Sequence, residues 1–321
     1  MARRIAVLVL AVLVGVTSHA YGQNGGNERR STYAPIVLPV VCGKLSGPAC
    51  GQVLPRIAAR TMQAGLELKP MESGGAFDTA ASVCNGQAAA AIVQRDAVVQ
   101  LAYAPACQGR FDVAGRSLYS YYAFLVVKAG APFRTLNDLA NAGQDGRKRA
   151  IAVGAEGSGG QITFGFLSRA DPVLQRDVEV TSDDGETALR RIADGSIDGF
   201  FTMETLNSGL INRVRMKTDA SGKPFYTFID VRPGPDFTRA GDGAGHCLYR
   251  LTALDFGGTL PVTTVSVDAV MVVGREFRDA HARSGPRASD ALASAIEQTR
   301  DAILADMKSP RDWRPAGTSC Q

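Results

Sequence analysis

The sequence predicts an α/β protein of two similar lobes, each a mainly parallel sheet flanked by helices. The first observation behind this is a steady alternation of short apolar, β-rich runs with helical periodicity from Pro35 onward. Such alternation builds layered α/β folds with largely parallel sheets. The second is an internal repeat. Leu66–Gln94 and Val178–Met203 each run through a strand, a Ser-containing turn, a short helix, a polar-Gly stop and an apolar strand. Ser73 and Ser182 lie 109 residues apart, and so do Gly86 and Gly195. Length agrees, since 321 residues suit about two domains with sizeable cores.

In chain order, Ile36–Val41 reads as a strand, Val53–Met62 as a helix and Leu66–Met71 as a strand. Pro39 interrupts the first of these, where a central strand needs its N–H. Helices follow at Phe77–Cys84 and from Asp96 to Tyr103, separated by a strand at Ala89–Gln94. Tyr119–Val127 is a long apolar strand, and its tyrosines belong to core or cleft wall. Thr135 and Asp138 form a capping box that opens a short helix. The second copy of the plan comprises strand Ala150–Gly154, helix Gln161–Ser168, strand Val178–Thr181, helix Glu186–Ala193 and strand Ile197–Met203. Strands at Phe225–Val231 and Val262–Val273 precede a helix at Ser289–Met307. That helix carries Leu292, Ala295, Ile296, Thr299, Ile303 and Leu304 on one face.

Composition narrows the function classes. With 45% hydrophobic and 21% charged residues the chain is ordinary for a globular protein. The formal charge of +4 is spread along the sequence, with no basic run for nucleic acid or an anionic membrane. Residues 1–22 read as a cleavable signal peptide: Met1–Arg4 is basic, Ile5–Val16 is apolar but too short to span, and Ser18-His19-Ala20 offers small residues for cleavage. Residues 23–32 read as a flexible leader. No cysteine precedes Cys42, so no lipid anchor is expected, and the chain is placed in the periplasm or outside the cell. Removing Arg3 and Arg4 leaves 33 basic against 31 acidic residues, a balance that says little about partners.

An exported chain with an even number of cysteines is read as disulfide-bonded. Cys84 ends a helix running away from the cleft, and Cys107 follows a second such helix, so the two meet at the distal end. Cys42 and Cys50 flank one cleft loop and pair across it. Cys247 and Cys320 remain, a pairing reached by elimination. No CxxC spacing occurs, and no metal site is expected.

Ligands of parallel α/β sheets sit beyond the carboxyl ends of the strands, where helix starts offer N–H groups and the positive end of a dipole. With two lobes side by side, these loops face a cleft. The candidates are Ser73, Gly74 and Gly75 at one helix start, and Ser158, Gly159, Gly160 and Gln161 at another. Gln94, Arg95 and Asp96 end a strand that points into the cleft; an amide and a guanidinium suit a carboxylate, while an N-cap beside a solvated arginine is the plainer alternative. Thr202 and Glu204 close the equivalent strand of the second copy, with Glu204 either holding an amine or sitting in solvent. Gly43 and Lys44 lie in the Cys42–Cys50 loop, where the lysine either reaches an anion or is solvated. GxGxxG, Walker, GxSxG and HExxH patterns are all missing, so no cofactor and no catalytic residue is expected. His19, His246 and His281 are the chain's histidines, and no triad can be assembled from them.

Four ordered segments carry a resemblance to a known family. They are Ser73-Gly74-Gly75 through Asn85-Gly86 to Ala91–Asp96, then Ala152–Gly159, then Asp194–Phe201, followed by the late strand Val262–Arg275. Over about Ile36 to Met307 the chain resembles the TAXI family, the extracytoplasmic solute receptors of TRAP transporters. The resemblance implies a type II periplasmic binding protein, a Venus flytrap. It places lobe 1 at 33–125 plus 264–321 and lobe 2 at 126–263, with crossovers near Tyr122–Val127 and Val262–Ser266. It also implies a monomer that captures a small polar solute, an amino acid or organic acid, and delivers it transiently to membrane permease subunits. The family's Gly-Ser/Thr-Gly-Gly loop and aromatic pair after the first strand are replaced here by Cys42–Gly51. A stand-alone interaction module for an envelope or sensory partner is the alternative, and a secreted enzyme on the same fold a more distant one.

Overall fold

The computed structural model describes residues 35–307 apart from 142–147, 234–236, 238–246, 257–260 and 282–286. The segments read as signal peptide and leader, together with His246 and Cys320, lie outside the described residues.

Ten strands form one sheet. The first copy of the plan is β1 (Ile36–Val41), α1 (Leu54–Thr61), β2 (Leu66–Met71), α2 (Ala76–Cys84) and β3 (Ala90–Gln94). After α3 (Arg95–Ala102) comes β4 (Phe111–Lys128), and then α4 (Leu136–Asn141). The second copy is β5 (Arg149–Ala152), α5 (Gly159–Ala170), α6 (Pro172–Asp177), β6 (Val178–Thr181), α7 (Gly185–Asp194) and β7 (Gly199–Glu204). The chain continues through α8 (Gly209–Met216), β8 (Tyr226–Ile229), β9 (Tyr249–Leu254), β10 (Val262–Gly274), α9 (Arg275–His281) and α10 (Ala288–Asp306).

The sheet order, β2-β1-β3-β10-β4-β7-β5-β6 with β8 on β4 and β9 on β10, restates the repeat. β1 pairs in parallel with β2 on one side and β3 on the other; β5 does the same with β6 and β7. Gly86 and Gly195, the two polar-Gly stops, both take the left-handed conformation, at φ +71° and +80°. Only a residue without Cβ adopts it without strain, and it ends the helix. Between the half-sheets run two long antiparallel strands. β4 pairs β10 up to Tyr122 and then continues along β7 from Tyr122 to Val127. β10 pairs β9 from Val262 to Val267 and β3 from Ala269 to Val273.

Pro39 is tolerated because the β1–β3 ladder includes only Val40 and Val41; its carbonyl takes the Ala89 N–H at 3.0 Å. The capping box forms as expected, with the Thr135 N–H donating to Asp138 Oδ2 (2.9 Å) and the Asp138 N–H to Thr135 Oγ1 (3.0 Å). β4 begins eight residues before the predicted strand, because Phe111–Leu118 carries Asp112, Gly115 and Arg116 and lacks the apolar run that marks its second half. α6, α8, β9 and α9 are short or mixed in polarity and had no clear periodic signal. α10 buries the predicted face, Leu292, Ala295, Ile296, Thr299 and Ile303, with Leu304 half-buried. Among the described residues no helix is long and apolar enough to cross a membrane.

Two expected disulfides are present, Cys42–Cys50 and Cys84–Cys107. Cys247 is also disulfide-bonded. Such bonds suit an oxidising, extracytoplasmic compartment.

Candidate functional site

The carboxyl ends of β3 and β7 and the starts of α2, α3 and α5 come together at one junction between the half-sheets. Sequence spacing decides which groups arrive there. β1, β2 and β3 run parallel, so each loop after them falls at the same edge; β5, β6 and β7 deliver theirs opposite.

The α2 and α5 starts touch directly. The Phe77 N–H donates to the Gly157 carbonyl at 3.0 Å. A Cβ on Gly75 would lie 2.8 Å from that same oxygen, so the close approach requires glycine. Ser73 Oγ lies 2.6 Å from Thr79 Oγ1, whose hydroxyl donates to the Gly75 carbonyl. Gly74 sits beside the Asp78 carboxyl, which places a negative charge in the first turn of α2. Across the junction, Ser158 caps α5 by accepting from the Gln161 N–H. Gln161 folds back, its Oε1 accepting from the Gly157 N–H at 2.7 Å and its Nε2 donating to Ser182 Oγ at 3.4 Å.

Gln94, 5% exposed, lays its carboxamide over Gly159, where a Cβ would collide with it. Gly160 packs against the Val153 carbonyl and the backbone of Phe201 and Thr202. Thr202 is buried. Arg95, the first residue of α3, is half-buried.

Asp96 does not take the alternative role of N-cap. It sits in the first turn of α3, 0% exposed. Its Oδ1 accepts from the Ala97 N–H at 2.9 Å, and its Oδ2 accepts from Thr163 of α5 at 2.5 Å and from the Tyr249 hydroxyl of β9 at 3.0 Å. Burial pushes its carboxyl up to about 6, against the lowering effect of those hydrogen bonds.

Glu204 ends β7 opposite Tyr122 of β4. Burial pushes its carboxyl up to about 7, opposed by a hydrogen bond from Ser208 and by the charges of Arg213 and Lys44. Tyr121, raised to about 12 mainly by burial, feels the Glu204 charge and hydrogen-bonds Tyr119 at 2.7 Å. Lys44 is exposed on its loop, and the Gly43 carbonyl accepts from the Ser73 N–H at 3.2 Å.

The structure therefore gathers the candidates from both copies of the plan at one junction. Thr163, Tyr249 and Ser208 belong there too and were not singled out from sequence. Thr163 did leave a signal, as a polar residue among Ile162, Phe164 and Leu167 on the buried face of α5. The set offers acids, amides, hydroxyls and one lysine, which suits recognition of a polar solute. Among the described residues no cluster of three or more His, Cys, Asp or Glu could hold a metal ion. A surface cavity of about 310 Å³, lined by Val37, Pro39, Cys84, Arg110 and Phe277 among others, lies at the opposite ends of β1 and β3 and shares no residue with the junction.

No family model matches the sequence, and no curated protein does. Solved structures do match in shape. One is assigned as the periplasmic sulfonate-binding protein of a sulfonate ABC transporter in Methylobacillus flagellatus KT. It has a TM-score of 0.51 and 10% identity over 88% of this chain and 75% of that one. The glutamate complex of the AvGluR1 ligand-binding domain has a TM-score of 0.50 and 12% identity, over 85% and 93%. A structure from the glutathione and cystine import system of Streptococcus mutans has a TM-score of 0.50 and 10% identity, over 85% and 93%. This chain has the type II periplasmic-binding-protein fold. At such identities the likeness is one of architecture, and the chemistry must be argued from the junction.

Proposed function

We propose that the protein is an extracytoplasmic solute receptor that closes on a small polar, carboxylate-bearing molecule such as an amino acid or organic acid. The observation that carries this reading is the junction itself, where loops from both copies of one βαβαβ plan converge beside two shared strands. In this reading, lobe 1 comprises 33–125 plus 264–321 and lobe 2 comprises 126–263. The lobes open about β4 and β10, and the solute enters between them. The starts of α2 and α5, at Ser73–Gly75 and Ser158–Gln161, hold the anionic end. Asp78 beside Gly74 weighs the choice toward α5, whose twelve residues bring the stronger dipole and no acid in the first turn. Gln94, Arg95 and Thr202 orient the ligand, and Glu204 with Lys44 sets its far end. The resemblance to TAXI receptors makes a TRAP-type permease the recipient, met transiently by a monomer.

Binding rather than turnover is the reading because the sequence carries neither a GxSxG nor an HExxH pattern, and the chain's few histidines lie in its N-terminal segment and at 246 and 281. A second reading, a stand-alone module for an envelope or sensory partner, draws on the direct Gly75–Gly157 contact, in which the protein's own backbone closes the gap. Calorimetry and thermal-shift assays with carboxylates, amino acids and phosphorylated solutes test the first. Binding by one class, weakened at least about tenfold by Ser158→Ala or Gln94→Ala, is expected; that corresponds to about 1.4 kcal/mol. No binding by any solute, together with a specific envelope partner in pull-down, favours the second.

A further inference from the structure

We propose that Asp96 is a proton-coupled bolt between the two half-sheets: closing the junction buries its carboxyl, so closure is easier for the neutral acid than for the carboxylate. The inference rests on the receptor reading for its purpose, since a flytrap needs a closing step, but its test uses no ligand.

Three elements meet at this one side chain. Asp96 leaves the first turn of α3, Thr163 reaches it from α5, and Tyr249 reaches it from β9. Both hydroxyls converge on the same oxygen, Oδ2, while Oδ1 takes the Ala97 N–H and lies 3.5 Å from Gln94 Nε2. The Tyr249 ring stacks on Phe237 at 4.2 Å and meets Phe166 edge-on, so the walls of the site are apolar. Any hinge motion that separates α3 from α5 and β9 breaks both cross-junction hydrogen bonds and exposes the carboxyl to water. The group therefore senses the conformation.

The sign follows from its surroundings. Charged neighbours are few. Arg95 precedes it on α3, and Arg169 of α5 lies over the Phe166 ring. Arg250 of β9 is committed to Asp268 of β10. Burial is the largest influence and outweighs the hydrogen bonds, leaving the carboxyl near 6 in this closed arrangement. In an open arrangement, hydrated, the group returns toward the ordinary carboxylate value of about 4. The closed form then holds the proton more tightly. Acidification through the interval between those values favours closure, and rising pH opposes it. Glu204, on the other side of the junction, is raised by burial toward about 7 and titrates in an overlapping interval, so it is the control.

The experiment is small-angle scattering on the ligand-free full chain at about pH 8 and about pH 5, with circular dichroism to verify folding. The expected result is a smaller radius of gyration at the lower pH for the native sequence. Asp96→Asn, neutral at every pH, stays as compact at pH 8 as the native chain is at pH 5. Thr163→Val keeps the buried carboxyl but removes a donor. It is expected to be more open at pH 8 and to close again at pH 5, and it tests the idea if Asp96→Asn fails to fold. Glu204→Gln retains the pH response. An unchanged radius of the native chain between the two pH values overturns the proposal. So does a response that persists in Asp96→Asn and disappears in Glu204→Gln. Neither result touches the receptor reading, which stands or falls on the solute panel.

Discussion

Ser117 of β4 donates a hydrogen bond to Asp268 of β10 at 2.6 Å, tying the two strands that run between the half-sheets. Asp268 is 3% exposed and also pairs with Arg250 of β9, which reaches Ser120 of β4 at 3.4 Å. The ladder shifts register just beyond it, between Ala269 and Met271. An ion pair between the buried Asp268 and the half-buried Arg250 restrains β4, β9 and β10 together.

Removing one partner of such a pair strands the other. Asp268→Ala is expected to lower unfolding free energy by about 3–5 kcal/mol in denaturant titration. A loss under about 1 kcal/mol contradicts a restraining role for the pair.

The two junction glycines separate by what they face. Gly75→Ala drives a Cβ against the backbone carbonyl of Gly157 and is expected to cost about 1–3 kcal/mol and to deprotect the Phe77 amide in hydrogen exchange. The atoms nearest a Cβ at Gly159 all belong to the Gln94 side chain. Adding Gln94→Ala should therefore rescue Gly159→Ala and leave Gly75→Ala unrescued. Equal rescue of both, read from thermal melts, contradicts the geometry.

Glu204 gives stability a pH dependence. Its folded carboxyl is raised from 4.5 to about 7, so between those values the native state binds more proton than the unfolded chain. Stability then falls as pH rises through that window and levels off above it. Glu204→Gln should flatten this segment of the profile and gain on the order of 1–3 kcal/mol at about pH 8. A profile of unchanged slope in the variant refutes the assignment.

The Cys42–Cys50 bond closes a loop with a sequence separation of 8 and holds Gly43, whose carbonyl carries the Ser73 N–H. Replacing both cysteines with serine should cost about 2–3 kcal/mol in denaturant titration. Solute affinity should fall along with stability, because the loop that positions Lys44 and Ser73 loosens. Unchanged affinity places this loop outside the binding machinery.

Much of this was legible without coordinates. β1, β2 and β6 fall on their predicted residues, because apolar runs bounded by turn residues need no tertiary context to be recognised. The repeat predicted one plan used twice, and the sheet shows it as β2-β1-β3 and β6-β5-β7. Two pairings were legible as well, Cys84–Cys107 from the direction of the strand and helices between them and Cys42–Cys50 from their place at the two ends of one loop. The first eight residues of β4, along with β9, carry no such signal. Asp112, Arg116 and Arg250 lie in strands whose pairing is decided by distant partners, and their local sequence reads as surface.

The sequence by itself determined an α/β chain with a doubled plan, a disulfide framework and a set of loops placed at strand ends, all properties of local pattern and of chain direction. Only the tertiary structure decided what those loops do to one another. In sequence Asp96 reads either as a ligand-facing strand end or as a helix cap, the ordinary role of a carboxylate at a helix start. It became a buried link because Thr163 and Tyr249, 67 and 153 residues away, deliver hydroxyls to it. Burial, and the carboxyl energetics that follow from it, are set by what packs against a residue, and no local pattern records that.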